Sequence, residues 1–385
     1  MTDEKQKICV VVASRANYGR IKSVLRAIED HPQLELQLVV SASALLERFG
    51  KVINIIEKDG FEVDARVYIV IEGETPTTMA KSTGLAIVEL STIFENLRPD
   101  IVLTVADRYE TIATAIAASY MNIPLAHTQG GEVTGSIDES VRHAVTKLAH
   151  IHFPATELSR QRLIKMGENP DTIFCTGCPS LDIIHNLDLS IEEDFFDKYA
   201  GVGDRIDFSK PYLVILQHPV TTEYSEGREQ IFETLLAVQE FGMQVACLWP
   251  NADAGSEDVS KGIRVFRENV RPKDFHFFKN FAPEDYARFI YNSKCLIGNS
   301  SSGIRECALL GIPVVNIGTR QQGRERAKNV MDAGYSKEDI KRAVRKQVDN
   351  GLYEPDYLYG DGQAGGKIAD ILSYCEISIQ KKLAY

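Results

Sequence analysis

The chain has 385 residues, too many for one ordinary core, so two domains are expected. Its composition, 44% hydrophobic and 25% charged, is that of a globular protein, and a formal charge of −11 argues against nucleic acid or an anionic membrane as the main partner. Any anionic substrate must therefore meet a local cluster of Arg, His and helix N-termini.

The start, MTDEKQKICVVVAS, is a charged lead followed by a short apolar run, without the length of a secretory h-region. No stretch approaches the roughly 18 uninterrupted apolar residues of a membrane span. The seven cysteines are odd in number, and Cys9, Cys247 and Cys295 sit in strand-like runs, which reads as reduced, buried thiols of a cytoplasmic protein. Cys175-x-x-Cys178 is the one metal-like pair. Zinc takes four ligands and no second pair exists, so no metal is expected.

Short β-branched runs alternate with helical patterns along the chain. Residues 8–12, 36–40, 101–105 and 124–126 read as buried strands, and 18–30, 44–58, 77–96 and 108–121 as helices. Near-continuous apolar strands between helices indicate parallel βαβ units covered on both faces. Residues 190–210 break the rhythm: they are acidic, with a GVGD turn and no buried strand. It restarts with strands at 212–216, 244–248, 275–278, 294–297 and 313–316. The second half also echoes the first, RPDIVLTVADRYETIATAIAASYMNIPLAHTQGG against NSKCLIGNSSSGIRECALLGIPVVNIGTRQQG. Two similar α/β doubly wound domains, 1–187 and 188–364, are expected to face each other across a cleft. A last segment, 365–385, carries a helix (365–378) packing back on the first domain.

Ligands of such sheets lie outside the carboxyl ends of the strands. The unusual polar residues fall there: Ser14 and Arg15, Asp107 and Arg108, His127 to Glu132, His218, Asn299 to Ser302, and Arg320. NSSSGIRECALLG runs from a strand into a helix, and its N–H groups and hydroxyls suit a phosphate. A single N-cap serine explains part of it, but three exceed what one cap needs. Glu306, one turn further, suits a ribose diol or is a solvated helix carboxylate. Arg15 offers a fork to diphosphate oxygens, or a surface salt bridge. The motif around it is not GxGxxG, so no dinucleotide cofactor is indicated. His218 in LVILQHPVTT is either a satisfied core histidine or, by its place on the same rim as the serines, part of the site.

The densest stretch is AHTQGGEVTGSIDESVRHAVTKLAH. Gly130-Gly131 lets the chain turn closely past a ligand. Ser136-x-x-Glu139 is a capping-box pattern opening a helix, with Ile137, Val141, Ala144 and Leu148 as its buried stripe and Arg142 four residues after Asp138. Capping and dipole compensation explain part of Asp138 and Glu139. They do not explain Glu132, or Asp107 approaching from the neighbouring strand end. Crowded carboxylates split their pKa values, so one site can offer both an acid and a base.

With these residues in view, the sequence closely resembles the hydrolysing UDP-N-acetylglucosamine 2-epimerases of sialic-acid-type biosynthesis. The likeness runs from about Lys7 to Gly362 through SRANYGR, PDIVLTVADRYE, GGEVTGSIDESVRHAVTKLAH, LQHPVTT, PNADAGS, IGNSSSGIRE, NIGTRQ and YGDG. The resemblance implies two Rossmann-like domains of the glycosyltransferase-B type and a homodimer or homotetramer. It needs no cofactor. It matches Arg15, Arg108, His218, Asn251, Ser300, Ser301, Glu306 and Arg320 to nucleotide-sugar contacts, with the serines on diphosphate and Glu306 on ribose, and Phe281 beside the base. Asp107 and Asp138 match catalytic carboxylates. We add His127 to the substrate-binding residues, and Glu132, Gln129 and His218 to the catalytic set.

Two departures stand out. Relatives commonly carry a third carboxylate where this chain has Gln129, and often read Arg-Ala-Asp where it has Arg15-Ala16-Asn17. Either Glu132 takes the missing role or the sugar differs, with the Gln129 N–H facing an acyl oxygen. The implied reaction turns UDP-N-acetylglucosamine and water into N-acetylmannosamine and UDP, by elimination to 2-acetamidoglucal and hydration. The alternative is the same chemistry on UDP- or GDP-linked N,N′-diacetylbacillosamine, on the way to legionaminic acid. The rival classes are a glycosyltransferase of the same architecture and a non-catalytic nucleotide-sugar sensor; neither would exchange the C2 hydrogen of the sugar.

Overall fold

The run QKICVVV forms β1 (Gln6–Val12), whose last five residues are buried on both faces, as a central parallel strand requires. Ile8, Val10 and Val12 point into one hydrophobic layer and Cys9 and Val11 into the other, following the period of two. The structure, a computed structural model, describes residues 5–72, 75–105, 108–133, 137–185, 187–220, 223, 225–250 and 256–384, with the backbone alone at 48, 76 and 137. The chain divides into two compact units, Met1–Val133 with Ile137–His185 and Gly360–Tyr385 in one, and Asn186–Tyr359 in the other.

In the first unit β1 is followed by α1 (Arg15–Gly19), α2 (Lys22–Asp30), β2 (Leu34–Ser41), α3 (Ile53–Lys58), β3 (Ala65–Val67), α4 (Pro76–Leu97), β4 (Ile101–Val105), α5 (Tyr109–Tyr120), β5 (Leu125–Thr128), α6 (Ile137–Leu148), β6 (Ile151–Phe153), α7 (Glu157–Lys165) and α8 (Asp182–His185). Its sheet has the order β3-β2-β1-β4-β5-β6, with every pair parallel. The second unit holds α9 (Phe195–Lys198), β7 (Val202–Gly203), β8 (Tyr212–Leu216), α10 (Gly227–Gln239), β9 (Gln244–Leu248), α11 (Ser256–Val270), β10 (Phe275–Phe278), α12 (Pro283–Tyr291), β11 (Cys295–Gly298), α13 (Glu306–Leu310), β12 (Val314–Ile317), β13 (Val330–Ala333) and α14 (Lys337–Asn350). Its order is β13-β12-β11-β8-β9-β10-β7, and only the last pair is antiparallel.

Leaving β7 aside, both sheets have one topology: β8, β11 and β12 take the ranks that β1, β4 and β5 hold in the first. The sequence echo noted above therefore pairs β4-α5-β5 with β11-α13-β12, the same two strands of each sheet. Each order reverses at one point, between β1 and β4 and between β8 and β11, and such a switch point opens a crevice at the strand carboxyl ends.

Four strands escape the sequence reading, β3, β6, β7 and β13, and they are the four edge strands of the two sheets. An edge strand is short and only half covered, so its apolar pattern is weak. Two helices also differ. The expected 18–30 helix is split between α1 and α2. Of the expected 44–58 helix only α3 is α-helical, because Leu46 is extended and Gly50 is left-handed at φ 83°.

The last helix, α15 (Ala364–Tyr374), belongs to the first unit. Ile368 and Leu372 join Leu25 and Ile28 of α2 in the core, and the Ala364 and Gly365 N–H groups donate to the Asp182 carboxylate at 2.9 and 2.6 Å. Gly365 packs so tightly on Ser23 that a Cβ would lie 2.7 Å from its carbonyl oxygen. Among the described residues no helix is long and apolar enough to cross a membrane.

Candidate active site

At the first switch point Ser14 caps α1, its Oγ accepting the Asn17 N–H at 3.2 Å, and Arg15 stands exposed at the first helical position. Asn17 bridges the two strand ends. Its Oδ1 accepts from Ala13 N–H at 3.3 Å and its Nδ2 donates to the Val105 carbonyl at 3.4 Å. An aspartate could not make the second bond, which gives a structural reason for asparagine here. Asp107 lies outside the described residues. Arg108 caps α5 with extended backbone, and its Nε donates to Glu110 Oε2 at 3.2 Å. Glu110 is buried and its Oε1 has no hydrogen-bond partner among the described residues; the sequence reading passed over it.

After β5 the chain enters the Gly-Gly turn. Gln129 is left-handed at φ 61°, a conformation that costs a non-glycine residue energy and is common at functional sites. Its N–H donates to Phe153 O at 2.9 Å. Gly131 is left-handed too, and a Cβ there would fall 2.3 Å from the Ser159 carbonyl oxygen, so the turn presses against α7. Two arginines fasten its backbone: Arg142 Nη1 donates to Glu132 O at 2.8 Å, and Arg162 Nη1 to Gly131 O at 3.2 Å. Glu132 is 4% exposed.

His127 is fully buried under Gly130, its Nδ1 3.4 Å from Thr146 Oγ1, so it supports the turn from below. Asp138 is in the first turn of α6, partly buried. The covered face of α6 is wider than the expected stripe, of which Val141 and Leu148 do pack against the core. Arg142, Val145, Thr146 and Ala149 are buried, while Val141, Ala144 and Leu148 are only half covered. Arg142 turns inward to reach the Glu132 carbonyl. Of the capping-box pair, Ser136 lies outside the described residues. The Gln129 amide also differs from expectation: Nε2 faces Cys178 Sγ at 3.6 Å, leaving Oε1, an acceptor, without a partner among the described residues.

At the second switch point Asn299 joins three strand ends. Its side chain brackets His218, Oδ1 accepting from the His218 N–H at 2.7 Å and Nδ2 donating to the His218 carbonyl at 2.9 Å. Its own carbonyl accepts from Arg320 Nη1 at 3.1 Å and Gln321 Nε2 at 2.8 Å. Burial, and then the Arg320 charge, push the His218 pKa well below 6.5, so its imidazole is neutral at neutral pH. Gly298, at φ 139°, would carry a Cβ 2.0 Å from Leu216 O, which brings β11 close to β8. Glu223 ties two rim loops together, accepting from Gln230 Nε2 at 2.7 Å, Tyr335 OH at 2.5 Å and Thr319 Oγ1 at 2.5 Å.

The serine run does not open one helix. Ser300 caps a 3₁₀ turn over Ser301–Gly303, and α13 begins only at Glu306. Ser302 is buried against Tyr286 OH at 2.7 Å, whereas Ser301 is partly exposed. Any anion here would meet separate hydroxyls and N–H groups, not a long helix dipole. Glu306 is partly exposed. Phe281 is 3% exposed in an aromatic cluster with Tyr199 at 4.8 Å and Phe289 at 4.9 Å. Its ring is core, leaving its main chain as the part suited to a base. Asn251 lies outside the described residues. Among those described, no cluster of metal-ligating side chains occurs, and the cysteines are free thiols, Cys9, Cys247 and Cys295 buried.

A family model described as UDP-N-acetylglucosamine 2-epimerase matches residues 26–373. The chain is 34% identical to the hydrolysing UDP-N,N′-diacetylbacillosamine 2-epimerase of Legionella pneumophila, over 95% of each chain. It is 29% identical to the UDP-N-acetylglucosamine 2-epimerase of Neisseria meningitidis serogroup B, over 98% of each. The solved structure of Methanocaldococcus jannaschii UDP-GlcNAc 2-epimerase in complex with UDP-GlcNAc and UDP has the same fold, with TM-score 0.77, 18% identity and coverage of 96% and 100%.

Proposed function

This chain belongs to the UDP-N-acetylglucosamine 2-epimerase family, and we propose that it is a hydrolysing member, releasing N-acetylmannosamine and UDP from UDP-N-acetylglucosamine and water. A carboxylate takes the C2 proton while the C1–O bond to the diphosphate breaks, giving 2-acetamidoglucal. Water then adds at C1, and a proton returns to C2 on the opposite face.

The observation that carries this reading is the Gln129–Glu132 turn. A buried carboxylate follows a left-handed residue at a strand carboxyl end, on a backbone fastened by Arg142 and Arg162. A general acid or base needs such fixed placement, and each proton transfer of this type contributes about 10²–10⁴-fold. Asp107 and Asp138 are assigned the other proton transfers on the strength of the family resemblance. Arg15, Arg108 and Arg320 suit the departing diphosphate, and Ser300, Ser301 and Glu306 suit the nucleotide. No step of this scheme calls for a cofactor. The cytoplasmic location and a homodimeric or homotetrameric state belong to the same proposal.

A second reading takes N,N′-diacetylbacillosamine as the sugar, supported by the relative of that name and by Gln129. The unpartnered Oε1 is an acceptor for an amide N–H, and a 2,4-diacetamido sugar has one more of these than N-acetylglucosamine. Product NMR with each UDP-sugar tests both readings. Free N-acetylmannosamine and UDP from UDP-N-acetylglucosamine support the first. Turnover of the diacetamido donor alone supports the second, and turnover of neither rejects both.

A further inference from the structure

The residues that follow α15 fold back onto the helices behind the Gly-Gly turn. Lys381 Nζ donates to the carbonyls of Thr146, Lys147 and Ala149 at 2.9, 3.0 and 2.6 Å, closing the carboxyl end of α6. A cation there also complements the helix dipole. The same ammonium lies 2.5 Å from Glu168 Oε2, just beyond the carboxyl end of α7. Glu168 is fully buried and accepts from Lys147 Nζ at 2.6 Å and His152 Nε2 at 3.0 Å. Lys147 Nζ reaches Met166 O at 2.9 Å, and Ala384 N–H reaches Gly167 O at 3.0 Å. His150 adds a link to the strand before the turn: Nδ1 accepts from Leu125 N–H at 3.1 Å, so Nε2 carries the proton and donates to Ile379 O at 3.2 Å.

Lys381 therefore locks together the carboxyl ends of α6 and α7, and these two helices send Arg142 and Arg162 to adjacent carbonyls of the turn. The turn's position depends on how the two helices sit against each other. We propose that Lys381 is a positioning residue for the Gln129–Glu132 turn, setting the spacing of α6 and α7 and through it the placement of Glu132 and Asp138. This rests on the reading of that turn as the acid–base centre.

The test compares Lys381→Met and Lys381→Arg in the full chain by steady-state kinetics and by amide exchange of the peptide spanning residues 127–133. Lys381→Met is expected to lower kcat about tenfold or more. UDP affinity should stay within about twofold, exchange in 127–133 should rise, and peptides from β9 should not change. Lys381→Arg should recover part of the loss. Unchanged exchange in 127–133, or a kcat within about twofold of wild type with only a lower melting temperature, overturns the proposal. If Lys381→Met does not fold, Lys381→Gln carries the same measurements, since its NH2 group keeps two N–H donors without the charge. Full turnover in Asp138→Asn would reject the reading of the site and leave amide exchange to decide the role of Lys381.

Discussion

Asn299 holds the backbone of His218 from both sides, accepting its N–H at 2.7 Å and donating to its carbonyl at 2.9 Å. Two strand ends of the second sheet are joined at its switch point by one buried amide, and no other side chain of this size supplies a donor and an acceptor in that arrangement.

Asn299→Asp keeps the acceptor and loses the donor, setting a carboxylate oxygen against the His218 carbonyl. A buried polar group left without its partner costs about 1–3 kcal/mol. Both His218 and Arg320 should shift. UDP affinity is expected to fall about tenfold or more, measured by calorimetry; affinity within about twofold of wild type would show that Asn299 does not organise the nucleotide site.

Arg142→Met should act on rate, not on binding. It removes the 2.8 Å hydrogen bond to the buried Glu132 carbonyl, a loss of about 1–3 kcal/mol in the first unit. We expect kcat to drop about tenfold or more with UDP affinity unchanged. A rise in KM at constant kcat would move Arg142 from the acid–base centre to uniform substrate binding.

Gly131→Ala should be among the most damaging single-methyl changes in the chain. The residue is left-handed and its Cβ would lie 2.3 Å from the Ser159 carbonyl oxygen. The conformational cost alone is about 1–3 kcal/mol, and the clash must also be relieved by moving the turn. Loss of turnover with a lower melting temperature is expected. Wild-type activity would show that the turn moves freely.

Acid should destabilise both units through their buried histidines. His152 and His218 are buried, and burial depresses both pKa values. In the unfolded chain each takes a proton near pH ~6.5, while the folded chain does not. Stability is therefore present above about pH 6.5 and falls below it, by up to about 1.4 kcal/mol per pH unit for each histidine until its folded pKa is reached. Burial alone would raise Glu168, but hydrogen bonds from His152, Lys147 and Lys381 outweigh it and hold the carboxyl at about 2. Its contribution is present above about pH 4.3 and disappears as the pH falls towards 2. Urea midpoints at about pH 7 and about pH 5 test the histidine part; equal midpoints would contradict it.

The central strands were legible because a parallel strand buried on both faces is a continuous apolar run, as ICVVV and YLVIL are. The carboxyl ends of those strands were marked by the polar residues that end the runs, whereas the strand order that makes two of them switch points was not. Hidden from the sequence were the edge strands, the inward turn of Arg142 and the bracket around His218. Each depends on a partner distant in the chain: Arg142 on a carbonyl ten residues away, Asn299 on a backbone 81 residues away. A carbonyl acceptor leaves no mark on residue type, so hydrogen bonds to backbone are the part of a site that composition shows least. Glu110 was passed over because a glutamate in a helix's first turn reads as dipole compensation.

The most direct measurement is turnover of UDP-N-acetylglucosamine in heavy water, with NMR of the released sugar. Proton removal by a carboxylate at C2, followed by return of a proton from solvent, predicts free N-acetylmannosamine carrying one deuterium at C2. Free sugar that keeps its original hydrogen at C2, or UDP binding with no free sugar released, would contradict the account.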